Sequence, residues 1–116
     1  MKKENRLKKR KQFNWTFKTG SAVHSKNLTL VFAKANVKSY LVGFSVTKKV
    51  GKAVVRNHVK RWLKEAVLKY ENNIVSKHTL IFVAKPEITN EKFTNIVKEV
   101  CYLIKKANLY KEDENS

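Results

Sequence analysis

The chain has 116 residues, a formal net charge of +17 and 42% hydrophobic residues, which suits one domain with one hydrophobic core. The charge exceeds what solubility requires, so it indicates an anionic polymer as the partner, most simply a nucleic acid. The single cysteine, Cys101, excludes an internal disulfide. Neither a signal peptide nor an apolar run of about 18 residues is present, so the sequence predicts a soluble, cytoplasmic protein without membrane contact.

The N-terminal part of the chain predicts a basic arm followed by a short helix. Residues 1–10 are mostly polar and basic. A helix is predicted over residues 11–18, where Phe13 and Phe17 share one face, and Gly20 is expected to end it in a left-handed conformation.

Strands are predicted over residues 21–24, 28–33 and 40–48, with a reversing turn at 36–39. Alternation in the third strand points four residues towards the core: Tyr40, Val42, Phe44 and Val46. Its other face includes Gly43 and Ser45 and is expected to be lightly covered. That face is therefore a candidate floor for a groove.

Residues 52–70 predict an amphipathic helix that begins after Gly51. Its apolar side is predicted to contain Val55, Val59, Trp62, Leu63, Ala66, Val67 and Tyr70. The opposite side is a basic ridge formed by Arg56, Asn57, Lys60, Arg61 and Lys64. Hardly any acidic residue neutralises the positive charge of this ridge. Repulsion between its cations therefore costs free energy unless an anion binds there.

The C-terminal part predicts a central strand and a last helix. Residues 79–85 are apolar on both faces and end at Pro86. Asn90 is expected to cap a helix with an apolar stripe formed by Phe93, Ile96, Val97, Val100, Leu103, Ile104 and Ala107. Residues 108–116 read as a frayed acidic tail that includes Glu112, Asp113 and Glu114.

These elements predict one α+β domain over residues 1–116. It is expected to be a two-layer sandwich in which three helices cover one face of a small mixed sheet of about four strands. The strand–helix–strand unit over residues 40–85 would by default cross over right-handed.

Catalytic motifs are missing from the sequence. His24, His58 and His78 lie in separate elements without metal-ligand spacing, and the acids before the tail are scattered. Nucleophilic triads, paired cysteines and glycine-rich phosphate loops do not appear either. The residues indicate a binding protein that has no cofactor of its own.

Two features suit RNA binding. The backbone N–H groups after Gly51 favour phosphate, with Lys48, Lys49 and Lys52 beside them. Phe13 and Phe17 either anchor their helix in the core or line a groove where unpaired bases stack, and Trp15 can do either. The basic ridge is either a phosphate track or an ordinary solvated face. Ridge and groove are expected on separate surfaces.

Residues 48–61, KKVGKAVVRNHVKR, resemble the signature of the bacterial ribonuclease P protein component, which carries Arg-Asn-Arg at the start of a basic helix. Residues 6–9, RLKK, followed by Phe13 and Phe17, resemble that family's opening, and residues 82–86, FVAKP, resemble its last strand. The resemblance covers almost the whole chain. One departure is His58, which stands at the third position of the Arg-Asn-Arg triplet and removes a fixed charge.

The resemblance implies the small protein partner of a catalytic RNA, in equimolar complex with it. Together the two would cut the 5′ leader from precursor tRNA, while the RNA holds Mg²⁺ and carries out the hydrolysis. The resemblance also implies a left-handed crossover in place of the default. The open alternatives are a ribosomal or other structural RNA-binding protein and a DNA-binding module, although the Phe13 and Phe17 pair favours single strands over duplex.

The resemblance also assigns residues to two RNA surfaces. The single-stranded leader would lie in a groove lined by Phe13, Phe17, Val31, Lys48, Lys49, Lys52 and Lys85. The catalytic RNA would contact Arg56, Asn57, His58, Lys60, Arg61 and Lys64. Val31 stands where family members often place an aromatic residue, so weaker stacking is expected there.

Overall fold

A computed structural model of the chain describes residues 3–112. The α-helices are α1 (Arg10–Thr19), α2 (Ala53–Leu68) and α3 (Phe93–Lys106), and the strands are β1 (Ser21–His24), β2 (Leu28–Lys34), β3 (Tyr40–Ser45) and β4 (His78–Ala84). Short 3₁₀ helices, which the sequence did not predict, span Lys3–Asn5 and Pro86–Asn90. All the predicted helices and strands are confirmed, with bounds shifted by up to three residues.

The four strands form one mixed sheet in the order β1-β2-β4-β3. The central strand β4 pairs antiparallel with β2 and parallel with β3. This arrangement confirms the α+β class and the central position of the strand that is apolar on both faces. The turn after β2 reverses the chain direction as predicted, but β4 separates the two strands that it joins. The handedness of the β3–α2–β4 crossover stays a prediction.

The main core lies between one face of the sheet and helices α2 and α3. The sheet contributes side chains that include Leu30, Val42 and Phe82, and the helices contribute side chains that include Leu63 and Ile96. The apolar stripe of α2 begins one turn later than predicted, because Val55 is exposed and Val59 is buried.

The other face of the sheet is covered by α1 and the segment before it, so the expectation of helices over one face is wrong for α1. Leu7 packs with Val31 and Ile81, and Phe13 packs against this cluster. The hydroxyl of Thr16 lies 2.8 Å from that of Thr79 in β4. The layers are therefore α1, the sheet, and the α2–α3 pair.

The predicted basic arm is attached to the free edge of β3. The Leu7 N–H donates to the Val42 carbonyl at 2.9 Å, and the Asn5 side-chain amide donates to the Tyr40 carbonyl at 2.8 Å. Both Asn5 and Leu7 are buried. These contacts fix where α1 begins.

Two predicted helix ends are wrong. Gly20 is extended, with φ −79° and ψ 172°, and not left-handed. A Cβ at Gly20 would lie 2.5 Å from the Phe32 carbonyl oxygen and 2.6 Å from that of Thr16, so glycine permits a close backbone approach here. Asn90 ends the second 3₁₀ helix, and α3 begins after Lys92.

The chain stays packed beyond residue 108, where the tail was predicted to begin. Leu109 is buried, and Tyr110 pairs with Ile74 in an isolated β-bridge. The rest of the predicted tail includes Asp113 and Glu114, which lie outside the described residues.

Candidate RNA interface

Three of the predicted groove lysines follow strands that end side by side. Because β3 and β4 are parallel, their carboxyl ends lie at the same end of the sheet. Lys48 and Lys49 are exposed in the turn after β3, and Lys85 directly follows β4. The topology therefore brings these lysines to one end of the sheet.

The N terminus of α2 lies in the same connection as Lys48 and Lys49. Lys52 is the exposed N-cap residue of this helix, and its side chain makes no capping hydrogen bond. Uncapped N–H groups at a helix N terminus favour an anion. The turn therefore offers backbone donors together with three ammonium groups.

Helix α1 supplies the aromatic side chains of the predicted groove. Phe13 is partly buried against the Leu7, Val31 and Ile81 cluster. Phe17 lies one turn further along and is 45% exposed. The sequence left two roles open for this pair, which are anchoring α1 in the core and stacking with unpaired bases. Phe13 anchors α1 in part, whereas the exposed Phe17 ring is accessible for stacking.

Lys85 differs from the other groove lysines because its ammonium group already has a partner. Its Nζ donates to the Ser25 carbonyl at 2.7 Å, which joins the end of β4 to the β1–β2 turn. The charge of Lys85 is thus held at a fixed position at the edge of the sheet.

The basic ridge of α2 has its polar groups directed away from the main core. Asn57, His58 and Arg61 are exposed. A terminal guanidinium nitrogen of Arg61 lies 3.4 Å from His58 Nδ1, and the His58 ring lies 4.7 Å from the Trp62 ring. Arg56 is half-buried, and its Nε has no hydrogen-bond partner within residues 3–112.

The ridge and the groove, which were expected on separate surfaces, meet at one pocket. A cavity of about 170 Å³ lies across the edge of β3. It is lined by Arg6, Leu7, Phe13, Val42, Gly43, Phe44, Lys60 and Lys64. Phe13 belongs to the predicted groove, whereas Lys60 and Lys64 belong to the ridge. The N-terminal segment joins them because it pairs with β3.

Sequence reasoning gave Arg6 and Phe44 no role in a site, whereas it placed Gly43 on the candidate floor of the groove. Arg6 belonged to the motif that carried the resemblance, but only the pairing with β3 shows that it faces α2. Gly43 accommodates the Phe13 ring, since a Cβ there would lie 2.5 Å from Phe13 Cζ. An isolated glycine inside an alternating strand is the signal that indicates such a close approach.

Acidic side chains do not neutralise these cations. Among the described residues the one ion pair within 4.0 Å joins Lys26 and Glu91, at 3.8 Å, and Lys26 belongs to neither surface. The ridge and the lysine-rich turn therefore carry uncompensated positive charge.

Glu91 and Glu99 have a structural role around Asn27. The buried Asn27 amide donates to Glu91 Oε2 at 2.9 Å and to Glu99 Oε2 at 2.6 Å. Hydrogen bonds from the Asn95 side chain, the Lys92 N–H and Asn27 lower the pKa of Glu91 to about 2. These carboxylates hold the β1–β2 turn against α3.

Within the part of the chain that the structure describes, His, Cys, Asp and Glu side chains form no group of three that could hold a metal ion. None of the helices between residues 3 and 112 combines the length and hydrophobicity needed to cross a lipid bilayer.

The fold and these surfaces define a small, basic α+β RNA-binding protein. The ribonuclease P family profile matches residues 1–108. The chain belongs to the ribonuclease P protein family, and so to the protein subunits of an endoribonuclease ribonucleoprotein that processes tRNA.

Relatives and solved structures agree with this family. The ribonuclease P protein component of Alkaliphilus metalliredigens is 33% identical over 94% of this chain and 98% of that protein. That of Brevibacillus brevis is 35% identical over 97% and 90%. The Staphylococcus aureus RNase P protein at 2.0 Å has a TM-score of 0.84 at 24% identity, over 92% of this chain and 98% of that one. A further S. aureus structure has a TM-score of 0.86 at 25% identity, over 92% and 91%, and is described as a mutant with defective mRNA degradation activity.

Proposed function

We propose that this chain binds the catalytic RNA of ribonuclease P along the α2 ridge and the single-stranded 5′ leader of precursor tRNA in the groove beside α1. In this proposal the RNA holds Mg²⁺ and cleaves the leader, and the protein raises the affinity of the complex for precursor tRNA. One molecule of protein binds one molecule of catalytic RNA.

The uncompensated charge of α2 is the observation that carries this proposal. Arg56, Lys60, Arg61 and Lys64 lie within about two turns of one helix, and none has an acid within 4.0 Å among the described residues. Like charges at this spacing repel each other. Phosphate groups remove the repulsion and release counterions, which favours binding at low salt.

The groove supports leader binding by a different argument. An unpaired strand exposes the faces of its bases, and stacking on an aromatic ring contributes about 1–3 kcal/mol per base. Phe17 offers an exposed ring, and Lys48 and Lys49 offer charges for the backbone. Such contacts depend on strandedness and charge more than on base identity.

The test of the proposal is reconstitution with the catalytic RNA from the same genome, assayed on a precursor tRNA at low Mg²⁺. The ridge variant replaces Arg56, Lys60 and Lys64 together with Ala. A matched control removes three charges from α3 by replacing Lys98, Lys105 and Lys106. We expect the ridge variant to weaken assembly with the RNA while both variants remain folded, as judged by thermal melting.

The salt dependence of assembly with the catalytic RNA provides a quantitative form of the same test. Six to eight phosphate contacts predict a log–log slope of assembly against salt of roughly −4 to −7. The ridge variant should reduce its magnitude by about 2–3, at about 0.7–0.9 per phosphate. Equal slopes for the ridge and control variants would show that α2 does not contact the phosphates of the catalytic RNA.

Copurification distinguishes the proposed function from the alternative, which is a structural or ribosomal RNA-binding protein. A bound RNA with leader-cleaving activity supports the proposal, whereas ribosomal particles support the alternative. The protein without RNA is expected to cleave no precursor tRNA. Because one S. aureus structure is described in terms of mRNA degradation, the RNA-free assay should include an mRNA as well.

A further inference from the structure

Trp15 is an exposed aromatic side chain that neither RNA surface uses. It is 42% exposed. At about 100° per residue, two residues along a helix correspond to about 200°, so Trp15 lies on the side of α1 away from Phe13 and Phe17. An aromatic ring in this position neither packs in the core nor lines the predicted leader groove.

Trp15 forms one wall of a cavity of about 260 Å³ between α1 and the loop that follows β2. The lining residues are Lys11, Gln12, Trp15, Ala35, Asn36, Val37 and Thr79. They provide an indole face, an ammonium group and two side-chain amides, and no carboxylate. The volume is near the lower limit of about 300 Å³ for small-molecule sites, which suits one ring system and not a longer segment.

Further lysines lie next to the loop that lines this cavity, in the sequence or through a backbone hydrogen bond. Lys34 and Lys38 flank the loop over residues 35–37 in the sequence. The Ala35 N–H donates to the Lys77 carbonyl at 2.9 Å, which brings the chain at Lys77 to the same loop. The surroundings are therefore positively charged and complement an anionic ligand.

We propose that the Trp15 pocket binds one unpaired nucleotide of the catalytic RNA. The base stacks on the Trp15 indole, the amides of Gln12 and Asn36 hydrogen-bond to its edge, and Lys11 Nζ pairs with its phosphate. The identity of this RNA rests on the proposed function.

Continuity with the ridge favours the catalytic RNA over the leader as the source. Arg6 lines the same cavity as Lys60 and Lys64 of the ridge. From Arg6 the chain passes through exposed basic residues to Lys11, which lines the Trp15 pocket. An RNA strand on the ridge thus has a charged path to Trp15. Phe13 also lines the cavity where this path begins, but Phe17, the exposed ring of the leader groove, lies on the other side of α1 from Trp15.

Binding can be followed by fluorescence, because the chain has two tryptophans. Trp62→Phe leaves Trp15 as the reporter. We expect its emission to be quenched on titration with the catalytic RNA. The affinity for this RNA is then compared for Trp15→Ala, for Trp15→Leu, which keeps apolar contact with the loop, and for Tyr102→Ala. Tyr102 is a matched control, since it is 51% exposed on α3.

We expect each Trp15 variant to lose affinity for the catalytic RNA by roughly 5- to 150-fold, the range for one stacked base. Tyr102→Ala should change it less than twofold. Trp15→Ala should leave the preference for precursor over mature tRNA unchanged, whereas Phe17→Ala should lower that preference. Affinities of the Trp15 variants equal to that of Tyr102→Ala would overturn the proposal. A loss confined to precursor tRNA would also overturn it and assign the pocket to the leader. Failure of the ridge variant to affect assembly would instead refute the proposed function.

Discussion

Gly43 places the Phe13 ring directly on the sheet, and replacing it tests whether that ring position matters for the leader. A Cβ at Gly43 would lie 2.5 Å from Phe13 Cζ, 2.7 Å from Cε1, and 3.1 Å from Leu7 Cδ2. Ordinary carbon–carbon contact begins near 3.5 Å, so Gly43→Ala should move the ring by about 1 Å.

The expected cost in stability is small. Overpacking costs about 1–3 kcal/mol in a well-packed core, but here the atoms that must move belong to the end of a half-buried side chain. Alanine also restricts the unfolded chain more than glycine does, and this offsets about 0.5–1 kcal/mol of the overpacking cost. We therefore expect Tm to fall by no more than about 4 °C.

The expected effect on binding is larger. Displacing the ring should remove much of one stacking contribution of about 1–3 kcal/mol, which is a loss of roughly fivefold or more. The assay measures the dissociation constants of the reconstituted holoenzyme for precursor and mature tRNA, and the ratio of the mature-tRNA constant to the precursor-tRNA constant should fall by that factor. Mature tRNA binding should hardly change because it has no leader.

Two further variants make the test selective. Gly43→Ala should add little to Phe13→Ala, because both act on the same ring. Gly20→Ala is a matched glycine control that meets backbone oxygens 2.5–2.6 Å away, so it should reduce stability and not leader preference. An unchanged ratio in folded Gly43→Ala protein, or fully additive losses with Phe13→Ala, would refute the reasoning.

The remaining predictions concern the scaffold. Asn27→Ala should lower the free energy of unfolding by about 3 kcal/mol in denaturant melts, because Glu91 and Glu99 lose the amide between them; a loss below about 1 kcal/mol would contradict this role. The depressed pKa of Glu91 stabilises the fold above the ordinary value of 4.5, and this stability is lost as pH falls towards about 2. Glu91→Gln should therefore lower Tm at pH 7, and the difference from the parent should close between pH 4.5 and 2; a constant difference would be inconsistent. Lys77 has φ 63°, so Lys77→Gly should leave stability unchanged or raise it by up to about 1 kcal/mol, whereas a clear loss in the same melts would argue against strain there.

Periodicity made the helices and strands predictable from sequence. The two-residue alternation that begins at Tyr40 and the apolar stripe that ends at Ala107 both reflect burial against one core. The central position of β4 was also predictable, because only a strand covered on both faces is apolar on both. These features depend on local sequence alone.

The second face of the sheet was not predictable in this way. Leu7 is one apolar residue among basic ones, and its burial depends on a backbone pairing with Val42, which lies 35 positions away in the sequence. Nothing periodic marks such a contact. The pocket shared by Arg6, Lys60 and Phe13 follows from the same pairing, so it was missed together with it.

The strand order has a consequence for how the chain reaches its binding-competent form during synthesis. Among the pairings between the four strands, only β1–β2 can form before β4 leaves the ribosome, because β4 is the neighbour of both β2 and β3. Until then β3 has no strand partner beyond its short pairing with the N-terminal segment, and the Val31 surface lacks Ile81 beside it. Long-range pairing of this kind delays folding until late in translation. A nascent chain therefore carries its positive charge long before it can present that charge in the native arrangement, and selective assembly with RNA must wait for the last third of the polypeptide.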